Sequence, residues 1–203
     1  MKFKVCVWLS MLGCFLLFAG STYKASEKVE SWQVRTSSSL KVNGKTNINS
    51  FNCVVGSYER TDTIDLLTTQ IANAEIKTSG KLLIPIERFD CHHKVMTRDL
   101  QKTLKHEQFP VMIIDFVRFS KSLEGLPTGS TVTAKAEITL AGAKKNYVID
   151  FHLRQYTTKQ IELTGTKPIL FSDFGMKPPS KLGGTIKVKN ELEVEIKLQL
   201  TRI

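Results

Sequence analysis

From Ile186 to Leu200, apolar and polar residues alternate with a period of two. Ile186, Val188, Leu192, Val194, Ile196, Leu198 and Leu200 hold even positions, while Lys187, Lys189, Glu191, Glu193, Glu195, Lys197 and Gln199 hold odd ones. Successive side chains of a strand point to opposite faces, so this spacing predicts extended chain with one dry and one wet face. Asn190 sits where the alternation is disturbed and predicts a turn or bulge, giving two strands or one long bent one.

The same alternation recurs upstream. Val132, Ala134, Ala136, Ile138 and Leu140 form one strand, and Tyr147, Ile149, Phe151 and Leu153 the next. Residues 141–146 between them predict a hairpin connection. Met112, Ile114 and Phe116 form a further run, as do Leu82, Ile84 and Ile86. Leu40 and Val42 lead into Asn43-Gly44, a pair that tolerates positive φ and predicts a hairpin turn, with the return strand from Ile48 to Val55. Shorter strands are expected at Ile64 and Leu66, and at Ala74 and Ile76. Between His93 and Lys105 the period changes: Met96, Leu100 and Leu104 recur every four residues among Lys94, Arg98, Asp99, Lys102 and Lys105. This predicts a short amphipathic helix or two linked turns, ended by Pro110.

One such helix cannot cover the dry faces of so many strands. The sheet must therefore fold onto itself, as a sandwich or as a closed barrel. Closure also removes the unpaired edges that invite aggregation. The chain of 203 residues is long enough for one domain with a sizeable core, expected over residues 22–203.

The first residues lie outside this pattern. Lys2 and Lys4 precede an apolar run from Val5 to Ala19, followed by Gly20, Ser21 and Thr22. A basic start, a short apolar stretch and small residues form the layout of a secretory signal peptide, expected to span residues 1–21; a retained N-terminal anchor is the alternative. Leu12-Gly13-Cys14 faintly resembles a lipoprotein cleavage site, but Phe15-Leu16-Leu17-Phe18 continues the apolar run beyond it. Export to a periplasm, cell envelope or exterior implies an oxidising compartment. There Cys53 and Cys91 either pair or stay as separately buried thiols.

The net charge of +10 includes Lys2 and Lys4. The remaining cations are dispersed and alternate with apolar residues, as in a solvated outer sheet face. An exported chain rarely meets nucleic acid, so none is expected as a partner; contact with a membrane surface and the oligomeric state stay open.

Candidate catalytic chemistry is sparse. Adjacent His92 and His93 point apart at a helix start, with no further ligand at metal spacing, and His106 and His152 are isolated, so no metal is expected. Cys53 and Cys91 lack the local motif of a reactive thiol. Asp173-Phe174-Gly175 spells a kinase triplet without the other kinase motifs. Tyr147 and His152 have opposite parity on one strand and cannot share a face. Neither an enzyme nor a cofactor is expected.

Three stretches taken together resemble the YceI-like family. They are the opening run Ser39 to Cys53; Met96-Thr97-Arg98-Asp99-Leu100 followed by Leu104 and Phe109-Pro110-Val111-Met112-Ile113-Ile114; and Ser172-Asp173-Phe174-Gly175-Met176 leading into the strands from Thr185 to Leu200. The resemblance runs from about Trp32 to Leu200. It implies an all-β, lipocalin-like antiparallel barrel with a short helical crossover around residues 93–105. It also implies a hydrophobic lumen that in some members holds a long isoprenoid or amphiphilic chain. The Thr- and Ala-rich text between Gly125 and Gly142 and the Cys53/Cys91 pair depart from the commoner pattern.

The residues expected to line a lumen are Met112, Ile114, Phe116, Tyr147, Ile149, Phe151, Val194, Ile196 and Leu198, by hydrophobic contact alone. Arg98, Lys102 and Lys105 are candidates for an anionic headgroup, if the helix caps one end. The functional expectation is an exported carrier of a lipid or isoprenoid-like molecule. The alternative is a cell-envelope structural or stress-associated interaction protein whose barrel is full. If residues 1–21 direct export, intact-mass analysis of protein recovered after export will show an N-terminus within a few residues of Thr22; an unprocessed Met1 would indicate the retained anchor.

Overall fold

The computed structural model describes residues 28–68 and 75–203, with the backbone alone at 181 and 182. The expected signal peptide, Cys14 and Ala74 lie outside these residues. The described residues form twelve strands: β1 (Lys28–Val34), β2 (Ser39–Thr46), β3 (Ser50–Val55), β4 (Thr63–Thr68), β5 (Ile76–Ser79), β6 (Lys81–Pro85), β7 (Val111–Phe119), β8 (Thr131–Leu140), β9 (Ala143–Thr157), β10 (Gln160–Leu170), β11 (Ser180–Lys181) and β12 (Ile186–Arg202). One α-helix, α1 (Lys94–Thr103), connects β6 to β7. No described helix is long and apolar enough to cross a membrane.

All strand pairs are antiparallel, and eight strands close a ring in the order β1-β4-β5-β7-β8-β9-β10-β12, with β12 returning to β1 through Trp32–Arg202 and Val34–Leu200. The chain is thus an all-β, closed antiparallel barrel with a short helix, the architecture that the YceI-like resemblance implies and one of the two that the period-two strands allow. Long strands extend the wall beyond that ring. The early part of β12 pairs with β2 and β2 with β3, while the early part of β7 pairs with β6. The barrel therefore has a lower end at β1, β4 and β5, and an upper end walled by β2, β3 and β6.

Between β3 and β6 the upper wall has a seam without ladder pairing. It is sealed by other means. Cys53 in β3 and Cys91, just after β6, form a disulfide with Cα atoms 3.9 Å apart. Beside it Val54 and Asp90 exchange backbone hydrogen bonds of 2.8 and 2.9 Å. The Tyr58 hydroxyl donates to Asp62 and accepts the Leu83 N–H of β6 at 3.0 Å. Burial, and then that bond to Asp62, push the Tyr58 pKa upward, so the phenol stays protonated and able to donate.

Inward positions carry the apolar residues along every long strand. The alternation buries Val132 to Leu140 in β8, Tyr147 to Leu153 in β9 and Leu192 to Leu200 in β12. The lower end is packed solid. Trp32, Ile64, Leu66, Phe116, Phe119 and Phe151 there are each no more than 1% exposed. The rings of Phe116 and Phe119 lie 5.5 Å apart, and those of Phe116 and Phe151 6.3 Å, distances at which aromatic pairs attract beyond their area. Glu30 also points into this end. Its carboxyl accepts the indole N–H of Trp32 at 2.6 Å, the Leu123 N–H at 3.1 Å and the Ser122 hydroxyl, which ties the loop after β7 beneath the barrel.

Local expectations meet several corrections. Asn43-Gly44 is not a turn: β2 runs straight through it, with Asn43 opposite Asn52 and Gly44 opposite Phe51. The Phe51 ring covers Gly44 so closely that a Cβ there would stand 2.2 Å from its Cζ. The glycine serves cross-strand packing, not positive φ. The chain reverses instead at Thr46–Asn49, where the Thr46 hydroxyl accepts the N–H groups of Ile48 and Asn49 at 3.1 and 2.9 Å. Ile48 therefore sits in the turn, and the return strand starts at Ser50.

The connection after β8 is shorter than residues 141–146. Ala141 (φ 51°) and Gly142 (φ 84°) make a two-residue turn, the positive-φ pair that matches strand twist. Ile86 falls in a short 3₁₀ turn, Ile86–Arg88, after Pro85. Asn190 does mark a bulge in β12, and its side-chain amide bonds both the backbone N–H and hydroxyl of Ser172. β1 and β10 were not anticipated. In β10 the inward pattern is hidden by Gly165, where the Phe151 ring occupies the space of a side chain, and by Pro168.

Two tests follow from this packing. The disulfide closes a loop of 38 residues in sequence separation, so Cys53→Ser with Cys91→Ser should cost about 4 kcal/mol of unfolding free energy in urea titration, from loop-closure entropy. Glu30→Ala strands two buried donors and a half-buried hydroxyl and should cost about 3 kcal/mol, with Glu30→Gln recovering part of it; equal stability of all three proteins would show that the carboxyl is not the tie described.

Candidate functional site

The upper end of the barrel is where packing loosens. A wholly apolar cavity of about 50 Å³ lies there, lined by Leu40 and Val42 of β2, Met112 and Ile114 of β7, Ile138 and Leu140 of β8, Ile169 of β10, and Leu192, Val194 and Ile196 of β12. Leu100 of α1 and Leu104 at its C-cap close it from above, and Phe89 and Phe174 complete its lining. A second void of about 20 Å³ lies along the β3–β6 seam and reaches Ile114, Ile196 and Leu198.

Outside α1 a larger groove of about 290 Å³ opens to solvent. Its walls are the β2–β3 hairpin tip with Thr46, Ile48 and Phe51, the first half of α1 with Val95, Met96 and Asp99, and the residues Pro179, Ile186 and Val188. Leu100 borders both the groove and the inner cavity and is the residue their linings share. Met96, Leu100 and Leu104 follow one another at four-residue spacing along one side of the helix and its C-cap. Leu100 and Leu104 are buried over the cavity, while Met96, a turn nearer the N-terminus, lies in the groove.

The nine residues expected in the lumen all point inward, but they divide into two groups. Met112, Ile114, Val194 and Ile196 line the upper cavity, and Leu198 the void at the seam. Phe116, Ile149 and Phe151 line none of these spaces: the aromatic pairs of the lower end consume the room they would otherwise border. Tyr147 is buried to 8% exposure but turns its hydroxyl outward to Asp173 at 2.7 Å, with its ring 6.3 Å from Phe174. Burial and that bond raise the Tyr147 pKa, while the same bond and Lys145 hold the Asp173 carboxyl below its usual range. This pair fastens the 3₁₀ turn Phe171–Phe174 over the barrel rim.

The polar candidates are dispersed. His152 faces solvent on β9, away from Tyr147. His92 and His93 border a shallow surface depression with Asp90 and Arg98, and among the described residues no three His, Cys, Asp or Glu converge as metal ligands. Arg98, Lys102 and Lys105 lie on the outer side of α1, and none of them lines the apolar groove. Sequence reading missed Leu40, Val42, Leu140, Ile169, Leu192, Leu100 and Leu104 as cavity residues. The parity of the strand residues and the four-residue spacing of the helical pair signalled burial, but nothing in the chain indicated at which height the barrel is hollow.

Solved structures of the same architecture share little sequence with this chain. A polyisoprenoid-binding domain from Saccharophagus degradans, implicated in plant cell wall breakdown, superposes with TM-score 0.63 at 11% identity, over 85% of this chain and 98% of that one. BcnA of Burkholderia cenocepacia gives TM-score 0.58 at 14% identity, over 80% and 95%. The YceI protein of Campylobacter jejuni gives 0.50 at 16%, over 78% and 84%. No curated protein matches. The model of the YceI-like domain matches residues 23–200, nearly the whole described barrel, and the chain belongs to the YceI-like family.

Proposed function

We propose that the protein is an exported carrier that holds an apolar or amphiphilic, isoprenoid-like chain in the upper half of its barrel. The observation that carries this reading is the presence of two apolar spaces, cavity and groove, that share Leu100 of a short helix as a lining residue. The polyisoprenoid-binding domain among the structural relatives supports it. So does the disulfide, which suits an oxidising compartment, together with the basic and apolar N-terminal run.

A cavity of about 50 Å³ holds little more than one water-sized volume, and ligand pockets occupy about 300–1,000 Å³. Binding therefore requires α1 to swing outward, withdrawing Leu100 and joining the cavity to the groove. Each methylene then removed from water contributes about 0.8 kcal/mol, which offsets the loss of the Leu100 and Leu104 contacts as the chain lengthens. The solid lower end acts as a floor that limits how deep a chain can go. No bond is made or broken in this role.

The small size of the cavity specifically favours one other reading, a filled barrel that acts through its outer surface as an interaction protein of the envelope. Native mass spectrometry separates the two. The carrier takes up isoprenoid alcohols in one-to-one ratio, and Met112→Trp, which fills the cavity from β7, abolishes uptake while leaving the fold and thermal transition intact. Persistent apo spectra across chain lengths would instead leave the filled barrel standing.

A further inference from the structure

The geometry points to a docking surface for an anionic lipid bilayer at the upper mouth of the barrel. Ile48 at the hairpin tip is 65% exposed, Val95 on α1 52% and Met96 36%, and all three border one groove together with Ile186 and Val188. Single exposed apolar residues are ordinary, but several converging on one concave patch mark a contact surface.

Charge identifies the partner. Lys45, Lys94, Lys177, Lys187 and Lys189 are exposed and adjoin or lie close to residues of its wall in the chain. None of these five pairs with a carboxylate among the described residues, so their charge is available to a partner. Elsewhere Lys28, Lys81, Lys135, Lys144, Lys145 and Lys197 are paired, and Lys41, Lys77, Lys121, Lys159 and Lys167 are not. The acids nearest in sequence are Asp90 and Asp99 on either side of Lys94, Asp173 before Lys177 and Glu191 after Lys189, and of these Asp99 lies in the groove wall. The strand alternation that turns Ile186 and Val188 toward the groove turns Lys187 and Lys189 to the outer side of the same strand. Exposed cations thus stand at the outer rim of the wall whose inner side is apolar. That arrangement matches a bilayer surface, with acyl chains at the centre of the contact and anionic headgroups around it. The hairpin tip is held rigid for such a role: Asn47 donates to Thr185 O at 2.9 Å and accepts the Lys187 N–H at 2.9 Å.

Docking does not depend on the lumen being occupied, so it can be tested apart from ligand uptake. The measurement is co-sedimentation of the full chain, as purified after export, with phosphatidylcholine vesicles containing phosphatidylglycerol and with phosphatidylcholine vesicles alone. Binding is expected only to the anionic vesicles and should weaken as salt rises from about 0.1 to 1 M. Lys187→Gln with Lys189→Gln should weaken it roughly thirty-fold, from about 1 kcal/mol per cation at the surface. Ile48→Ser, at an exposed turn where the fold is indifferent, should weaken it roughly tenfold. Lys121→Gln with Lys159→Gln, at the opposite end, should leave it unchanged.

Absence of binding to anionic vesicles would overturn the inference. Equal losses from both lysine pairs would also do so, since they would reveal only a diffuse attraction of a basic protein. Binding that survives both the Ile48 and the Lys187/Lys189 substitutions would place the contact elsewhere, in residues 1–27 or on another face. Retention of the wild-type chain by a protein partner, with no vesicle binding, would reassign the patch to a protein interface.

Discussion

Closure of one sheet upon itself is the constraint from which the rest of this structure follows. β12 pairs with β10 from Glu191 to Thr201, with β2 along its early and middle part, and with β1 at its far end, so a single long strand ties the two edges of the sheet together. Once closed, the inward faces of all strands share one interior, and a charged residue at any inward position would need partners there. Glu30 meets that demand with three donors, and the other long strands meet it by placing aliphatic and aromatic side chains inward. The outward faces are released to solvent, where exposed lysines and glutamates form pairs that contribute little individually.

Extending the wall above the ring creates a problem that the ring itself does not have. β3 and β6 face each other without a ladder, leaving a seam through which water could reach the apolar interior. The chain seals it with a covalent link, a backbone bridge and a tyrosine hydroxyl, three different bonds along one line. Above the seam α1 serves as a cover, held by Leu100 and Leu104 and by few other buried residues. A short helix with so small a buried face opens at lower cost than any strand of the wall. The difference in packing between floor and cover gives the barrel a direction, with a solid bottom and a top that contains the cavity.

Much of this was legible beforehand because period two survives burial. The strands from Val111, Thr131 and Ile186, the bulge at Asn190 and the helix after His93 all appear where alternation or its change of period placed them. The failures have specific causes. Asn43-Gly44 carries the letters of a turn, yet Gly44 is needed as a gap beneath Phe51, a cross-strand partner that local reading does not see. β10 escaped notice because Gly165 makes room for Phe151 from the neighbouring strand. In both cases the residue type was chosen by a side chain distant in sequence, and a local rule assigned it a local role.

The sequence by itself determined the class of fold and the sorting of side chains into inside and outside, because strand geometry makes parity a local property. It also determined that the interior would be greasy and short of reactive groups. Which inward residues border space and which are stacked against one another was decided only in three dimensions. Phe116 and Met112 have the same parity on one strand, yet the first fills the floor and the second lines a cavity. The pairing of Cys53 with Cys91 and the gathering of Ile48, Val95 and Ile186 at one mouth were likewise settled by the path of the closed sheet, since volume and proximity are properties of the assembled barrel and not of any segment of it.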